Sequence, residues 1–500
     1  MKRPRVSGLL IGGFLFGIII GGVSVIASLR EEIRVDPQLT QEVKRRRQEL
    51  MDQLGSEALL ILFSAEPKTF ERDIDYEYRQ DSNLYYLTGI DQPGTILVLM
   101  PGNRTQKEML FLRRRDPTRE LWAGRMLRQD EARSISGIET IYDADLFDTF
   151  IESVLNGRNF GPRTYGPTVE YAGFFDALGR GRAAVYLDLE NRPGLRRPPN
   201  RVWRFAEKIR RRFLGIDVRD VTPYLHRMRL VKSPYELAQI RRAIEITCRA
   251  HREAMKALRP GMYEYEIEAV VEYTFKRLGA AWPAFPSIIA SGPNATTLHY
   301  DRSTRRTHSG ELLLVDIGAE YHYYAADVTR TYPVNGRFTP EQAALYNLVL
   351  EAQKEALKLV RPGSTIPQVH QRAVAVLKRG LRRLGLITSE EASQYRFWFP
   401  HGTSHWLGMN VHDVGDRNAP FEPGMVLTVE PGLYIRQDTF QRIGQRDPQL
   451  AAAIAPAFQK YQGLGVRIED DVLVTESGYV VLSQSAPKTT TEIETIMTQR

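Results

Sequence analysis

A single cysteine, Cys248, occurs in 500 residues. No intrachain disulfide can form, and a structural zinc site built from thiolates is excluded. Cys248 falls in the helical stripe Leu237, Ile240, Ile244, Cys248, Met255, which reads as a buried, inert thiol. The start of the chain has no cysteine to carry a lipid anchor. Low-complexity tracts are also missing. The basic clusters Lys44-Arg45-Arg46-Arg47, Arg113-Arg114-Arg115 and Arg210-Arg211-Arg212 have no aromatics interleaved among them. The net charge of +8 therefore reads as solvated helix faces, and nucleic acid is set aside as a partner.

Charge is absent from Val6 to Leu29, a run close to the ~20 residues of a spanning helix and longer than a signal-peptide core. Lys2, Arg3 and Arg5 before it keep the N-terminus inside and send the rest of the chain out of the cytoplasm. We expect one hydrophobic helix here that anchors the protein to a membrane if it is not cleaved. Val25-Ile26-Ala27 leaves cleavage as a signal peptide open. Gly13, Gly17 and Gly21 form a small-residue ridge on this segment.

The remaining length exceeds one ordinary core, so two folded domains follow. After the segment 1–33, we expect an α/β domain over 34–225 and a catalytic domain over 226–500. Strand candidates in the first are Leu59–Phe63, Ile96–Met100, Met109–Leu112 and Val185–Leu187, and Asn191–Asn200 reads as a loop. Ser233-Pro234-Tyr235-Glu236 combines an N-cap, a first-turn proline and a capping-box glutamate, and opens a helix to about Leu258.

The second domain repeats itself. Arg259-Pro260-Gly261 and Arg361-Pro362-Gly363 each precede a helix, and His299 and His401 follow at the same offset of 102 residues. The strands Gly310–Gly318 and Gly424–Gly432 then align position for position, placing Asp316 and Glu430 at equivalent sites. The implied architecture is pseudo-two-fold, with one acid from each half meeting at the centre. Each half has a second acid on a following strand: Asp327, expected directly opposite Asp316 in a hairpin, and Glu469. The residues from Tyr434 to Gly463 look like an insertion in the second hairpin.

Four carboxylates on one inner face cannot all stay ionised without cations. Two divalent ions neutralise them, and an oxygen-rich donor set favours manganese, with an imidazole widening the range to cobalt or zinc. The imidazole comes from His401, His405 and His412, three of only nine histidines in the chain.

These residues resemble the pita-bread metallopeptidases, and within them the aminopeptidase P family. The matching stretches are Ala290-Ser291-Gly292, His299-Tyr300, Val315 to Gly318, Ala326 to Thr331, His401 to Gly415, Glu430 to Tyr434 and Arg467 to Asp471. Tyr76 to Asn83 and Tyr85 to Gly89 resemble that family's N-terminal domain. The resemblance implies an Xaa-Pro aminopeptidase acting on peptides with proline second, through a hydroxide held between two metal ions. It implies Asp316, Asp327, His405, Glu430 and Glu469 as metal ligands and Glu430 as general base. His299 and His412 would bind the peptide carbonyl or the oxyanion, and His401, Tyr434 and Arg467 would line the prolyl pocket. We also expect a homo-oligomer. Prolidase activity on dipeptides stays open as the alternative, and a non-catalytic binding module is disfavoured because every ligand position is filled.

Overall fold

The computed structural model describes residues 35–160 and 169–499. The hydrophobic helix expected over residues 6–29 lies outside them. Among the described residues no helix is long and apolar enough to cross a membrane.

The first domain is built on a mixed six-stranded sheet. Its strands are β1 (Ala58–Phe63), β2 (Ile96–Leu99), β3 (Glu108–Leu112), β4 (Thr140–Asp143), β5 (Ala184–Leu187) and β6 (Asp217–Asp220), in the order β4-β3-β2-β1-β5-β6. β1 pairs antiparallel with β2 and parallel with β5. The four strands expected from apolar runs are the four inner ones. The missed strands, β4 and β6, are the edges, and their solvated acids break the apolar signal.

The helix α1 (Pro37–Leu54) corrects one expectation. Lys44-Arg45-Arg46-Arg47 is not a solvated face, since Arg46 and Arg47 are fully buried. Arg46 donates to the Tyr86 carbonyl at 3.0 Å and lies 3.4 Å from Glu236, while Arg47 donates to the Leu87 and Ser136 carbonyls. Buried guanidinium groups persist because each has carbonyl or carboxylate partners. Arg46 thereby ties α1 to the start of the second domain.

That domain opens with α2 (Pro234–Ala257), which carries the capping box expected at Ser233 and Glu236. Cys248 lies buried in it, as expected, and its thiol is pushed up to about 11 by burial. Residues 225 and 226 fall within the helix Thr222–Leu230, and Asp36–Arg500 forms one compact unit. The two Arg-Pro-Gly turns lead into α3 (Glu264–Arg277) and, later, α5 (Ile366–Arg383); α4 (Pro340–Leu357) lies between them in sequence.

The first half of the repeat provides β7 (Ile288–Ser291), β8 (Leu312–Ile317), β9 (Ala319–Tyr321), β10 (Tyr324–Ala325) and β11 (Val328–Pro333). The second provides β12 (Val426–Val429), β13 (Gly432–Tyr434), β14 (Gly465–Arg467) and β15 (Asp470–Thr475). In each half one register runs through two successive ladders, β8 on β11 then β9 on β10, and β12 on β15 then β13 on β14. The insertion between β13 and β14 is two helices, α6 (Gln437–Arg446) and α7 (Pro448–Tyr461).

The expected pairing of Asp316 with Asp327 is corrected to Asp316 opposite Thr329. The turn decides this. His322 and Tyr323 both adopt positive φ, 47° and 72°, so Tyr321 pairs with Tyr324 and the register moves by two residues. Packing compensates the strain: Tyr323 stacks on Tyr85 with ring centroids 3.7 Å apart, and its hydroxyl accepts from the Gln80 amide at 2.9 Å. An even shift keeps Asp327 on the face of Thr329. Gly318 allows the close approach, for a Cβ there would stand 1.8 Å from the Ala326 carbonyl oxygen.

Candidate metal centre

The two halves are joined at β11. The Glu469 amide donates to the Thr329 carbonyl at 3.1 Å, and the Thr331 hydroxyl donates to the Arg467 carbonyl at 3.0 Å. This seam brings the acids of both halves onto one cavity of about 760 Å³, lined by nine of the ten expected site residues, with the tenth, Tyr434, bonded to two of them, His401 and Arg467.

Asp327, His405 and Glu469 form the tightest group, their ligand atoms all within 4.8 Å of one another. His405 Nε2 lies 3.3 Å from Asp327, 3.8 Å from Glu430 and 3.9 Å from Glu469. His405 Nδ1 is 3.0 Å from the Trp406 carbonyl. A carbonyl only accepts, so Nδ1 carries the proton and the Nε2 lone pair faces the carboxylates. The Thr329 hydroxyl donates to Glu469 at 2.6 Å and orients it. Asp316 stands apart from this group, its Oδ2 bound by the Arg467 guanidinium.

Asp316, Asp327 and Glu469 are buried, and Oδ1 of both aspartates has no hydrogen-bond partner. Burial, then the charges of Asp316, Asp471 and Glu430, pushes the Asp327 carboxyl well above its ordinary range. Glu469 is raised likewise by burial and by Asp327 and Glu430. Burial lifts Glu430 to about 7, against the pull of His405. Unpartnered buried acid oxygens around an imidazole lone pair are what a divalent cation satisfies, so Asp316, Asp327, His405, Glu430 and Glu469 fit a metal centre. Because Glu430 must be deprotonated to ligate, metal affinity is expected to rise as pH climbs through about 7. Calorimetry in two buffers of different ionisation enthalpy reads the released proton, and an affinity flat between about pH 6 and 8 contradicts the raised carboxyl.

The remaining expected residues form the wall. Tyr434 accepts from Arg467 at 2.7 Å and lies 2.8 Å from His401 Nε2, while His401 Nδ1 lies 2.7 Å from the Gly402 carbonyl. The chain therefore runs from Arg467 through the Tyr434 hydroxyl to a neutral His401, whose imidazolium is disfavoured by burial and by Arg467, to about 3. His299 and His412 lie on the exposed side of the cavity. His412 packs edge-on against His405 at 4.4 Å, and burial with its histidine neighbours lowers it to about 4.

Three supporting residues carry no such reading in the sequence. Asp471 is fully buried, accepts from the Asp327 amide at 3.1 Å and leaves Oδ1 unpartnered. Asp413, next to His412, is held by Lys232 at 3.0 Å and by Arg229, which also reaches Asn83 of the first domain. Arg330 pairs with Asp470 at 2.7 Å, both fully buried. The only sequence signal was their place inside matching stretches, because their partners lie far away along the chain.

A family model described as metallopeptidase family M24 matches residues 238–476, and one described as aminopeptidase P, N-terminal domain, matches 43–161. The chain is 38% identical over 467 residues to the Xaa-Pro aminopeptidase of Escherichia coli (strain K12), covering 91% of this chain and 97% of that protein. The fold superposes with a TM-score of 0.79 on Pseudomonas aeruginosa aminopeptidase PepP, at 36% identity over 94% of this chain and 99% of that one. It superposes at 0.77 and 36% identity on zinc-substituted E. coli aminopeptidase P in complex with product, over 92% and 98%.

Proposed function

From the premise that the chain belongs to metallopeptidase family M24 and bears an aminopeptidase P N-terminal domain, we propose that it is a metallo-aminopeptidase releasing an N-terminal residue linked to proline. One observation carries this reading: acids from both halves of the repeat and one imidazole lone pair converge on a single cavity.

Asp316, Asp327, His405, Glu430 and Glu469 would hold two divalent ions, for which manganese is supported by the four carboxylates against one imidazole. When bound, the ions supply Lewis acidity toward the scissile carbonyl and toward water. Glu430 takes the proton of the attacking water and passes it to the prolyl nitrogen, a task suited to a carboxyl near 7. His412 is neutral at neutral pH and offers an N–H to the carbonyl oxygen as charge develops on it, with His299 beside the same opening. His401, Tyr434 and Arg467 receive the prolyl ring. The Xaa-Pro bond has no N–H and a fixed ring, so a wall with aromatic surface and locked polar groups suits it.

The uncharged run of residues 6–29 supports a membrane anchor with the catalytic part outside the cytoplasm, in the periplasm or at the cell surface. Leu121 and Trp122, 81% and 78% exposed, support a homo-oligomer that covers them. The function is tested by mass spectrometry on the manganese-loaded protein, with an Xaa-Pro-Yaa tripeptide, a longer Xaa-Pro peptide, an Xaa-Pro dipeptide and a Met-Ala peptide. Release of the first residue from the longer proline peptides is expected. Cleavage of the dipeptide alone makes the protein a prolidase, and silence on all four with metal bound overturns the assignment.

A further inference from the structure

The α6–α7 insertion builds a second cavity of about 500 Å³ against the catalytic one. Leu298 and Tyr434 border the second, and Leu298 and the Tyr434 partners His401 and Arg467 border the first. The insertion is packed and not loose. Phe440 stacks on Phe458 with centroids 4.0 Å apart, and Ile443, Leu450 and Ile454 enter the main core. Arg436 donates to the Thr296 carbonyl at 3.0 Å, which fastens α6 to the loop leading to His299.

The charges of this cavity are unbalanced. Arg396, Arg436, Arg442 and Arg446 line it, with Asp447 as the only acid. Arg436 and Arg442 share Asp438, at 2.8 and 3.9 Å. Asp447 is occupied in capping α7, accepting from the Leu450 amide at 2.9 Å. Among the described residues neither Arg396, which donates to the Tyr395 hydroxyl at 3.3 Å, nor Arg446 has a carboxylate partner, and both are exposed. Two unneutralised guanidinium groups above an apolar floor of Phe397, Ile443 and Leu450 suit a carboxylate carried on a peptide stem.

We propose that this cavity is a carboxylate-binding subsite for the part of the peptide that follows proline, and that it makes acidic or free-acid peptides preferred substrates. The proposal rests on the aminopeptidase reading above, because the Tyr434 wall that receives proline in that reading also borders this cavity. The carboxylate is either an Asp or Glu side chain or the peptide C-terminus. Both offer the same planar pair of oxygens to a guanidinium fork.

The test compares kcat/KM for a neutral C-terminally amidated Ala-Pro-Gly-Gly-Gly peptide with its free-acid form, and for amidated Ala-Pro-Gly-Glu-Gly with its Gln counterpart. The wild type is expected to favour at least one charged form by roughly tenfold, mostly through KM and less so as salt rises. The arm showing the preference identifies the source of the carboxylate. In the Arg396→Gln, Arg446→Gln double variant the preference falls to about one, while turnover of the neutral peptide is unchanged. Equal turnover of charged and neutral peptides by the wild type, or a preference that persists in the double variant, overturns the subsite. No cleavage of any peptide defeats the aminopeptidase reading instead. Calorimetric binding of amidated Pro-Gly-Gln, its free-acid form and amidated Pro-Gly-Glu to both proteins then decides the subsite independently, with carboxylate-dependent binding lost in the double variant expected and equal binding of all three overturning it.

Discussion

A Glu469→Ala enzyme is expected to lose roughly 10³-fold or more in kcat/KM, because a metal ligand supports several kcal/mol of transition-state stabilisation. Glu469 is 2% exposed, sits in the tightest ligand group and is fixed by the Thr329 hydroxyl. Its removal also deletes one of several buried acids that repel one another, whose carboxyls are raised first by burial and then by each other's charge. The metal-free variant is therefore expected to melt no lower than the metal-free wild type, even as its metal content, read by elemental mass spectrometry, falls below two ions. A lowered melting temperature with retained metal and activity makes Glu469 a structural residue and sinks its assignment as a ligand.

Arg330→Met is expected to act in the opposite sense, costing about 3–5 kcal/mol of stability. Its guanidinium donates to Asp470 at 2.7 Å, to the Thr329 carbonyl at 2.9 Å and to the Ala486 and Pro487 carbonyls, all out of contact with water. Burial opposes ionisation of Asp470, yet Arg330 and Lys488 hold its carboxyl well below the ordinary range. Such a depressed carboxyl supports the fold above its unfolded pKa, and that support is lost only as pH falls into strong acid. Methionine keeps the apolar stem and leaves Asp470 with Lys488 and the Ser483 hydroxyl, and several carbonyls unpaired. Urea unfolding with an unchanged slope and a lowered midpoint is the expected reading. A shift below about 1 kcal/mol would mean that Lys488 suffices and that Arg330 does not hold the seam.

The candidate site was legible to different depths. Asp316, Asp327, Glu430 and Glu469 were visible because the repeat doubled a weak local signal: an acid near the end of a strand means little once and much twice. Histidine density marked His401, His405 and His412 together, and only the family resemblance singled out His405. The relation of Asp316 to Asp327 was misplaced by two residues because its turn uses His322 and Tyr323 instead of glycine or asparagine, and stacking on Tyr85 with the Gln80 hydrogen bond makes that turn tolerable. Arg46 and Arg47 read as solvated because a run of basic residues carries no mark of its distant carbonyl partners.

By itself the sequence determined the inner strands of the first sheet, the capped start of α2, the two-fold arrangement of the second domain and the acids that meet at its centre. Each is encoded by side-chain period, cap chemistry or turn residues within a few positions, or by one such local pattern occurring twice. Only the tertiary structure decided that Asp471 supports Asp327, that Thr329 orients Glu469, that Asp413 reaches the first domain through Arg229, and that the insertion is a packed helical pair. Those partners lie as much as about 180 residues apart, and no local pattern sets which of them meet. Burial does, by removing water from polar groups and leaving each to find whatever partner the packing brings within reach.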